Sequence, residues 1–166
     1  MPRLVVVLPL EPLRTGDSFA VERWPLHITV VPPFLTDADP ETVREIIAAA
    51  TSPLQQFSVI AGEEALFGRR ENIPVTLIAE SEPLLQVHRV LVDALRAVAA
   101  SPDEPAFTGS GFRAHVTIKN GNSIQGDAVL PLMQVALVDM APRADPTGRT
   151  VLATVALAPE ASPQPR

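Results

Sequence analysis

Apolar residues in this chain fall into short, strand-like runs and two stripes of helical period, punctuated throughout by proline, glycine, aspartate and asparagine. Strands are predicted over Leu4–Leu8, His27–Val31, Phe57–Ala61, Val75–Ala79, Ala114–Lys119, Leu132–Asp139 and Val151–Ala156. A first helix is predicted from Asp39-Pro40-Glu41 to about Ala50, with Asp39 as N-cap and proline at the first helical position. Its apolar stripe is Val43, Ile46, Ile47 and Ala50. A second opens at Ser81 or Glu82-Pro83 and carries Leu84, Val87, Leu91, Leu95 and Val98, so one of its faces must be buried. The segment from Ser101 to Gly111 has no apolar periodicity and reads as a loop. Two helices among this many strands are too few for a doubly wound sheet, so an α+β domain with mostly antiparallel strands is expected. Residues 1–158 are expected to form that single domain, with 159–166 a frayed C-terminal tail.

Composition narrows the chemistry. A chain of 166 residues with 46% hydrophobic content can build one real core. The longest apolar runs, Leu4–Leu8, Leu26–Phe34 and Val129–Val138, are short or broken by proline or glutamine and fall below the roughly 20 residues of a membrane span. The first residues read as a strand rather than a secretory signal, so a cytoplasmic protein without a membrane partner is expected. The absence of cysteine removes disulfides, thiolate nucleophiles and cysteine-based metal centres. A net charge of −6 argues against binding along a polyanion track, and six Phe, one Trp and no Tyr give little material for extended base stacking. A nucleic-acid ligand would therefore be short, and a monomer is expected.

One pattern is repeated. Leu26-His27-Ile28-Thr29-Val30 and Ala114-His115-Val116-Thr117-Ile118 share the order apolar, His, apolar, Thr, apolar, once in each half of the chain. Thr makes up 11 of the 166 residues, so two of three histidines having Thr two positions on is expected by chance about one time in a hundred. In a strand each His shares a face with its Thr, while the intervening apolar residues face the core. On the second copy Arg113, His115, Thr117 and Lys119 would line one polar strip. The bland alternative is two half-buried strands whose polar faces happen to carry His and Thr.

Two imidazoles, one neutral and one protonated, can take a proton from a nucleophile and give one to a leaving oxygen near neutral pH. Thr hydroxyls can hold non-bridging phosphate oxygens, and a nearby cation can stabilise developing charge. The competing chemical reading is a metal site, but two histidines on separate strands need a third ligand and no H-E-x-x-H spacing is present. No cofactor or metal is expected.

These residues resemble the two-histidine (2H) phosphoesterases, which include bacterial 2′-5′ RNA ligase-like proteins and cyclic phosphodiesterases. The resemblance is carried by Pro25-Leu26-His27-Ile28-Thr29-Val30-Val31-Pro32-Pro33-Phe34 and by Phe112-Arg113-Ala114-His115-Val116-Thr117-Ile118-Lys119, and the order of elements extends it over nearly the whole chain. It implies a bilobal pseudo-twofold fold, with two antiparallel sheets forming a central cleft and two main helices outside. It also implies His27 and His115 as the acid–base pair and Thr29 and Thr117 as phosphate ligands. The expected activity is that of a metal-independent phosphodiesterase on 2′,3′-cyclic or 2′-5′-linked nucleotides or RNA ends; the alternative is a non-catalytic nucleotide- or RNA-end-binding module on the same fold. The chain differs from relatives in its paired prolines after the first motif and its lack of tyrosine.

Around the motifs, Arg113 and Lys119 are the candidate phosphate-facing cations. Arg69 and Arg70 fall in a turn that either reaches the cleft mouth or is simply solvated. Trp24 and Phe34 are candidates for base stacking, against the default that both are core, and Phe67 and Phe112 are core by the same default. His88 lies on the stripe of the second helix and reads as a packing histidine. Since Pro25 and Val31 flank the first motif where Arg113 and Lys119 flank the second, the phosphate is expected to lean toward His115.

Overall fold

The computed structural model describes residues 2–99, 111–119 and 124–159. Among these, nine strands, β1 (Arg3–Pro9), β2 (Ser18–Ala20), β3 (His27–Leu35), β4 (Phe57–Phe67), β5 (Ile73–Ile78), β6 (His115–Thr117), β7 (Val129–Leu132), β8 (Gln134–Asp139) and β9 (Gly148–Ala156), join two helices, α1 (Pro40–Thr51) and α2 (Glu82–Leu95). The strands form one antiparallel sheet in the order β2-β9-β8-β1-β3-β6-β5-β4-β7. The α+β class and the two helices match the sequence expectation. The two separate sheets do not: β3 pairs directly with β6 at the centre and makes the sheet continuous.

Both sheet faces are covered near β1, which explains its unbroken Leu4-Val5-Val6-Val7-Leu8 run. Leu4, Val6 and Leu8 join Ile28, Val30 and Val116 beneath Val43 and Ile47 of α1 and Leu84, Val87, Leu91 and Leu95 of α2. Val5 and Val7 face the other way, into a smaller cluster with Leu13, Trp24, Ala136, Val138 and Val151. The helices start where proline and the cap residues placed them: Asp39 precedes α1, and the Ser81 hydroxyl accepts from the Leu84 amide at 3.3 Å ahead of α2.

Several boundaries differ. β3 and β4 run longer than their β-branched cores, the stretch 132–139 divides between β7 and β8, and short β2 carries no periodic signal. Pro32 and Pro33 sit inside β3, beside the irregular β1–β3 register between Leu4 and Val7, where a missing amide donor is tolerated. The β4–β5 hairpin turns at Gly68, whose φ of 91° suits glycine, and its exposed tip carries Arg69 and Arg70. The predicted loop at 101–110 and the tail from 160 onward lie outside the described residues. No helix among the described residues is long and apolar enough to cross a membrane.

Candidate active site

The site begins with a register. Ile28 of β3 pairs with Val116 of β6 in an antiparallel ladder, which sets His27 opposite Thr117 and Thr29 opposite His115. Ile28 and Val116 are buried on the helix side, so alternation turns all four polar side chains onto the opposite face. The two histidines lie on the diagonal of this square, their Cα atoms about 7 Å apart by strand geometry. On the flanks, Pro9 of β1 and Val75 of β5 extend the His27–Thr117 row, while Val7 and Leu77 extend the Thr29–His115 row.

Each imidazole is tied down by its own chain. His27 Nδ1 lies 2.7 Å from the Pro25 carbonyl oxygen and His115 Nδ1 lies 2.8 Å from that of Arg113. A carbonyl only accepts, so Nδ1–H donates in both, and the tautomer leaves Nε2 with its lone pair available for proton transfer. The second identity is an aromatic neighbour: Trp24 stacks on His27 with centroids 3.9 Å apart and planes at 28°, and Phe67 meets His115 edge-on at 4.6 Å. A third is a cation over each aromatic, with Arg113 5.0 Å from the Phe67 ring and Lys119 4.9 Å from the Trp24 ring.

Electrostatics separates the two. Burial, reinforced by Lys119, His115 and Arg149, lowers the His27 pKa to about 4 against the upward pull of its bond to Pro25. His115 is also lowered, chiefly by burial and then by Arg113. Lys119 is lowered by burial and by Arg149, and Arg149 by burial and by Arg3. Arg149, which the sequence did not single out, reaches from β9 to lie 5.4 Å from the Trp24 ring, its Nη1 donating to the Met140 and Gly148 carbonyls at 2.8 Å. Cations therefore gather at His27 as well as at His115.

The other candidates divide. Arg113 is exposed and lines a cavity of about 180 Å³ with Thr29, Pro32, Pro33, Phe112 and His115. Lys119 faces the Trp24 ring and donates to the Val21 carbonyl at 3.1 Å, so its ammonium is already engaged. Trp24 is 7% exposed and its ring is taken up by His27 and the two cations, which leaves it little surface for a base. Phe34 is 5% exposed and belongs to the helix-side core, not to the site. Phe67, assigned to the core by default, is half-buried against His115 instead. His88 is a packing residue as expected: buried on α2, it lies 2.8 Å from the Val30 carbonyl and stacks at 3.9 Å on Phe112, bracing one wall of the cavity. Among the described residues no group of three or more His, Cys, Asp or Glu is close enough to hold a metal.

Solved structures show the same fold. Escherichia coli LigT complexed with 3′-AMP superimposes with a TM-score of 0.60 at 15% identity, covering 95% of this chain and 98% of that one. TT0787 of Thermus thermophilus gives 0.63 at 15%, covering 96% and 100%, and a crystal structure described as a phosphoesterase gives 0.59 at 17%, covering 95% and 98%. No curated protein matches the chain. The sequence profile of the 2′-5′ RNA ligase superfamily matches residues 3–146, a span that includes both His-x-Thr strands, and the chain belongs to that superfamily.

Proposed function

We propose that this protein is a metal-independent phosphodiesterase of 2′,3′-cyclic or 2′-5′-linked nucleotides or RNA ends, in which His27 and His115 exchange protons with the reacting oxygens. Membership of the superfamily supports a phosphoesterase-type function. The observation that carries the finer reading is the Ile28–Val116 register, because it gathers two imidazoles with free Nε2 atoms and two hydroxyls into one square. A tetrahedral phosphate above that square meets a proton acceptor at one corner and a proton donor at the opposite one. The Thr29 and Thr117 hydroxyls at the remaining corners donate to its non-bridging oxygens. Both steps proceed through the chain's own groups.

Arg113 is the cation best placed to meet charge developing on phosphate, since it is exposed beside His115 and lines the adjoining cavity. Lys119 acts on the site through the field at His27 rather than as a direct ligand. The cavity walls of Pro32, Pro33 and Phe112 are apolar and suit the organic part of a small substrate. LigT has been crystallised with 3′-AMP and with phosphate, a precedent in fold for a ligand of this size. The test is hydrolysis of 2′,3′-cyclic AMP with EDTA present. Turnover is expected to persist in EDTA and to fall by about two to four orders of magnitude in His27→Ala and in His115→Ala. Catalysis surviving both substitutions overturns the mechanism, and binding without turnover supports a non-catalytic binding module.

A further inference from the structure

Three side chains beside His27 have hydrogen-bonding capacity that the chain does not fill. Trp24 is 7% exposed, yet its Nε1–H meets no partner among the described residues, and neither does the buried Nε of Arg149. The third is half-buried Lys119, which gives one ammonium proton to the Val21 carbonyl at 3.1 Å and keeps two others. They form one cluster, because Lys119 Nζ lies 4.9 Å and the Arg149 guanidinium carbon 5.4 Å from the centre of the Trp24 ring. The charge of Arg149 acts on Lys119, and that of Arg3 acts on Arg149 in turn. Neither Lys119 nor Arg149 forms an ion pair among the described residues. The carboxylate whose field reaches Arg149 is that of Asp139, and its Oδ1 accepts from the Ala141 amide at 3.0 Å. Like charges gathered beside an orphaned N–H cost stability unless an anion offsets them.

The cluster is offset from the square of histidines and threonines. Val116 lies under the centre of that square, with Arg113 three residues before it and Lys119 three residues after, each about 10 Å away along the strand. The Arg113 end opens into the cavity walled by Pro32, Pro33 and Phe112, whereas the Lys119 end is walled by Trp24 and Arg149. We propose that Lys119, Arg149 and the Trp24 Nε1–H form a subsite for a second phosphate group, so that the preferred substrate carries a phosphate beyond the one that reacts. This subsite rests on the phosphodiesterase reading above and narrows its substrate class. Phosphate suits the three donors better than a carboxylate does, because it offers three acceptor oxygens and more than one negative charge. An indole N–H only donates, so it favours an anion and gives nothing to a cation. With a net charge of −6 the chain does not attract a long polyanion, and the second phosphate is the adjacent one. Two sources share that chemistry: the 5′-terminal phosphate of the reacting nucleotide, and the next phosphodiester of a short chain.

The chain has one tryptophan, so intrinsic fluorescence reports on Trp24 alone. Adenosine 3′,5′-bisphosphate and 3′-AMP are titrated into the full-length protein at one ionic strength, followed by fluorescence and by calorimetry. The bisphosphate should bind about tenfold or more tightly than 3′-AMP and perturb the Trp24 emission more strongly. Lys119→Met and Arg149→Met should each cut that affinity ratio to about threefold or less. Trp24→Phe keeps a ring beside His27 and removes the N–H, so its ratio, read by calorimetry, should fall by about twofold to fivefold. Taking the ratio within each variant cancels whatever the substitution does to His27 itself. Circular dichroism checks folding, and if one variant fails to fold, the other and the wild-type ratio decide. Kinetics then identify the source of the phosphate, from kcat/KM on 2′,3′-cyclic AMP, its 5′-phosphorylated form and a diadenylate ending in a 2′,3′-cyclic phosphate. Preference for the second marks a 5′-terminal phosphate, and preference for the third marks an internucleotide one. A wild-type ratio within about twofold of one, or a ratio that survives in both Lys119→Met and Arg149→Met, overturns the subsite. If wild type cleaves none of the three compounds, the phosphodiesterase reading fails, while the binding ratio still decides the subsite.

Discussion

Replacing His27 by Gln should make the protein less sensitive to acid unfolding, although it removes a central residue of the site. The folded-state pKa of His27 is lowered from 6.5 to about 4, so between those values the unfolded chain binds a proton that the native state refuses. Stability contributed by this position is therefore greatest above pH 6.5 and is lost as the pH falls toward 4. The full shift corresponds to roughly 3 kcal/mol, an upper bound on what this position contributes. Gln cannot titrate, and its side-chain amide can still donate to the Pro25 carbonyl that His27 Nδ1 now meets. Carboxylates titrate over the same range in both proteins and cancel in the comparison. Urea unfolding of wild type and His27→Gln at pH 7.5, 6, 5 and 4.5 should show the difference moving in favour of the variant as pH falls. A difference that stays constant across the series refutes the reasoning, because it means that His27 takes up its proton equally well in the folded and unfolded chains.

Further outcomes follow from other contacts. Thr29→Val and Thr117→Val keep the side-chain shape and remove a donor each, so kcat/KM on 2′,3′-cyclic AMP should fall by about tenfold to a hundredfold while circular dichroism is unchanged. His88→Leu takes the donor from the Val30 carbonyl and the stack from Phe112, and should cost about 1–3 kcal/mol by urea unfolding. Ile28→Ala opens a cavity at the one paired position between β3 and β6 and should cost about 2–5 kcal/mol, read by the same method. The pH profile of kcat/KM should have its optimum on the acid side of neutrality, since both histidines are lowered from their ordinary value. A profile centred above pH 7.5 counts against the paired-histidine chemistry.

The parts of this protein that local chemistry determines were legible in the chain. Alternation alone put His and Thr of each motif on one face, and Asp39-Pro40 and Ser81 marked the helix starts. Hidden were the features that depend on which strand lies beside which. Nothing local tells that β3 and β6 are neighbours, and the two sheets that the family resemblance implied are one continuous sheet. Arg149 joins the site only because β9 lies across the same face, and Phe67 only because the β4–β5 register brings the strand end over His115. Lys119 was on the right face, but the segment carrying Val21 and Trp24 occupies the space beside it and takes its ammonium. The same segment stacks the Trp24 ring on His27.

The pairing of Ile28 with Val116 also acts as an error check on assembly. A slip of one residue would set His115 or Thr117 opposite Ile28, according to its direction, and drive an imidazole or a hydroxyl into the apolar layer under the helices. A slip of two keeps every face correct, yet in one direction it sets His27 opposite His115 and sacrifices the alternation of imidazole and hydroxyl around the square. The ladder of β6 on β5, with Val75 on Thr117, Thr76 on Val116 and Leu77 on His115, denies the chain that freedom. The strand that carries the second His-x-Thr motif is thus only three residues long, and its alignment is enforced by a neighbour that carries neither motif.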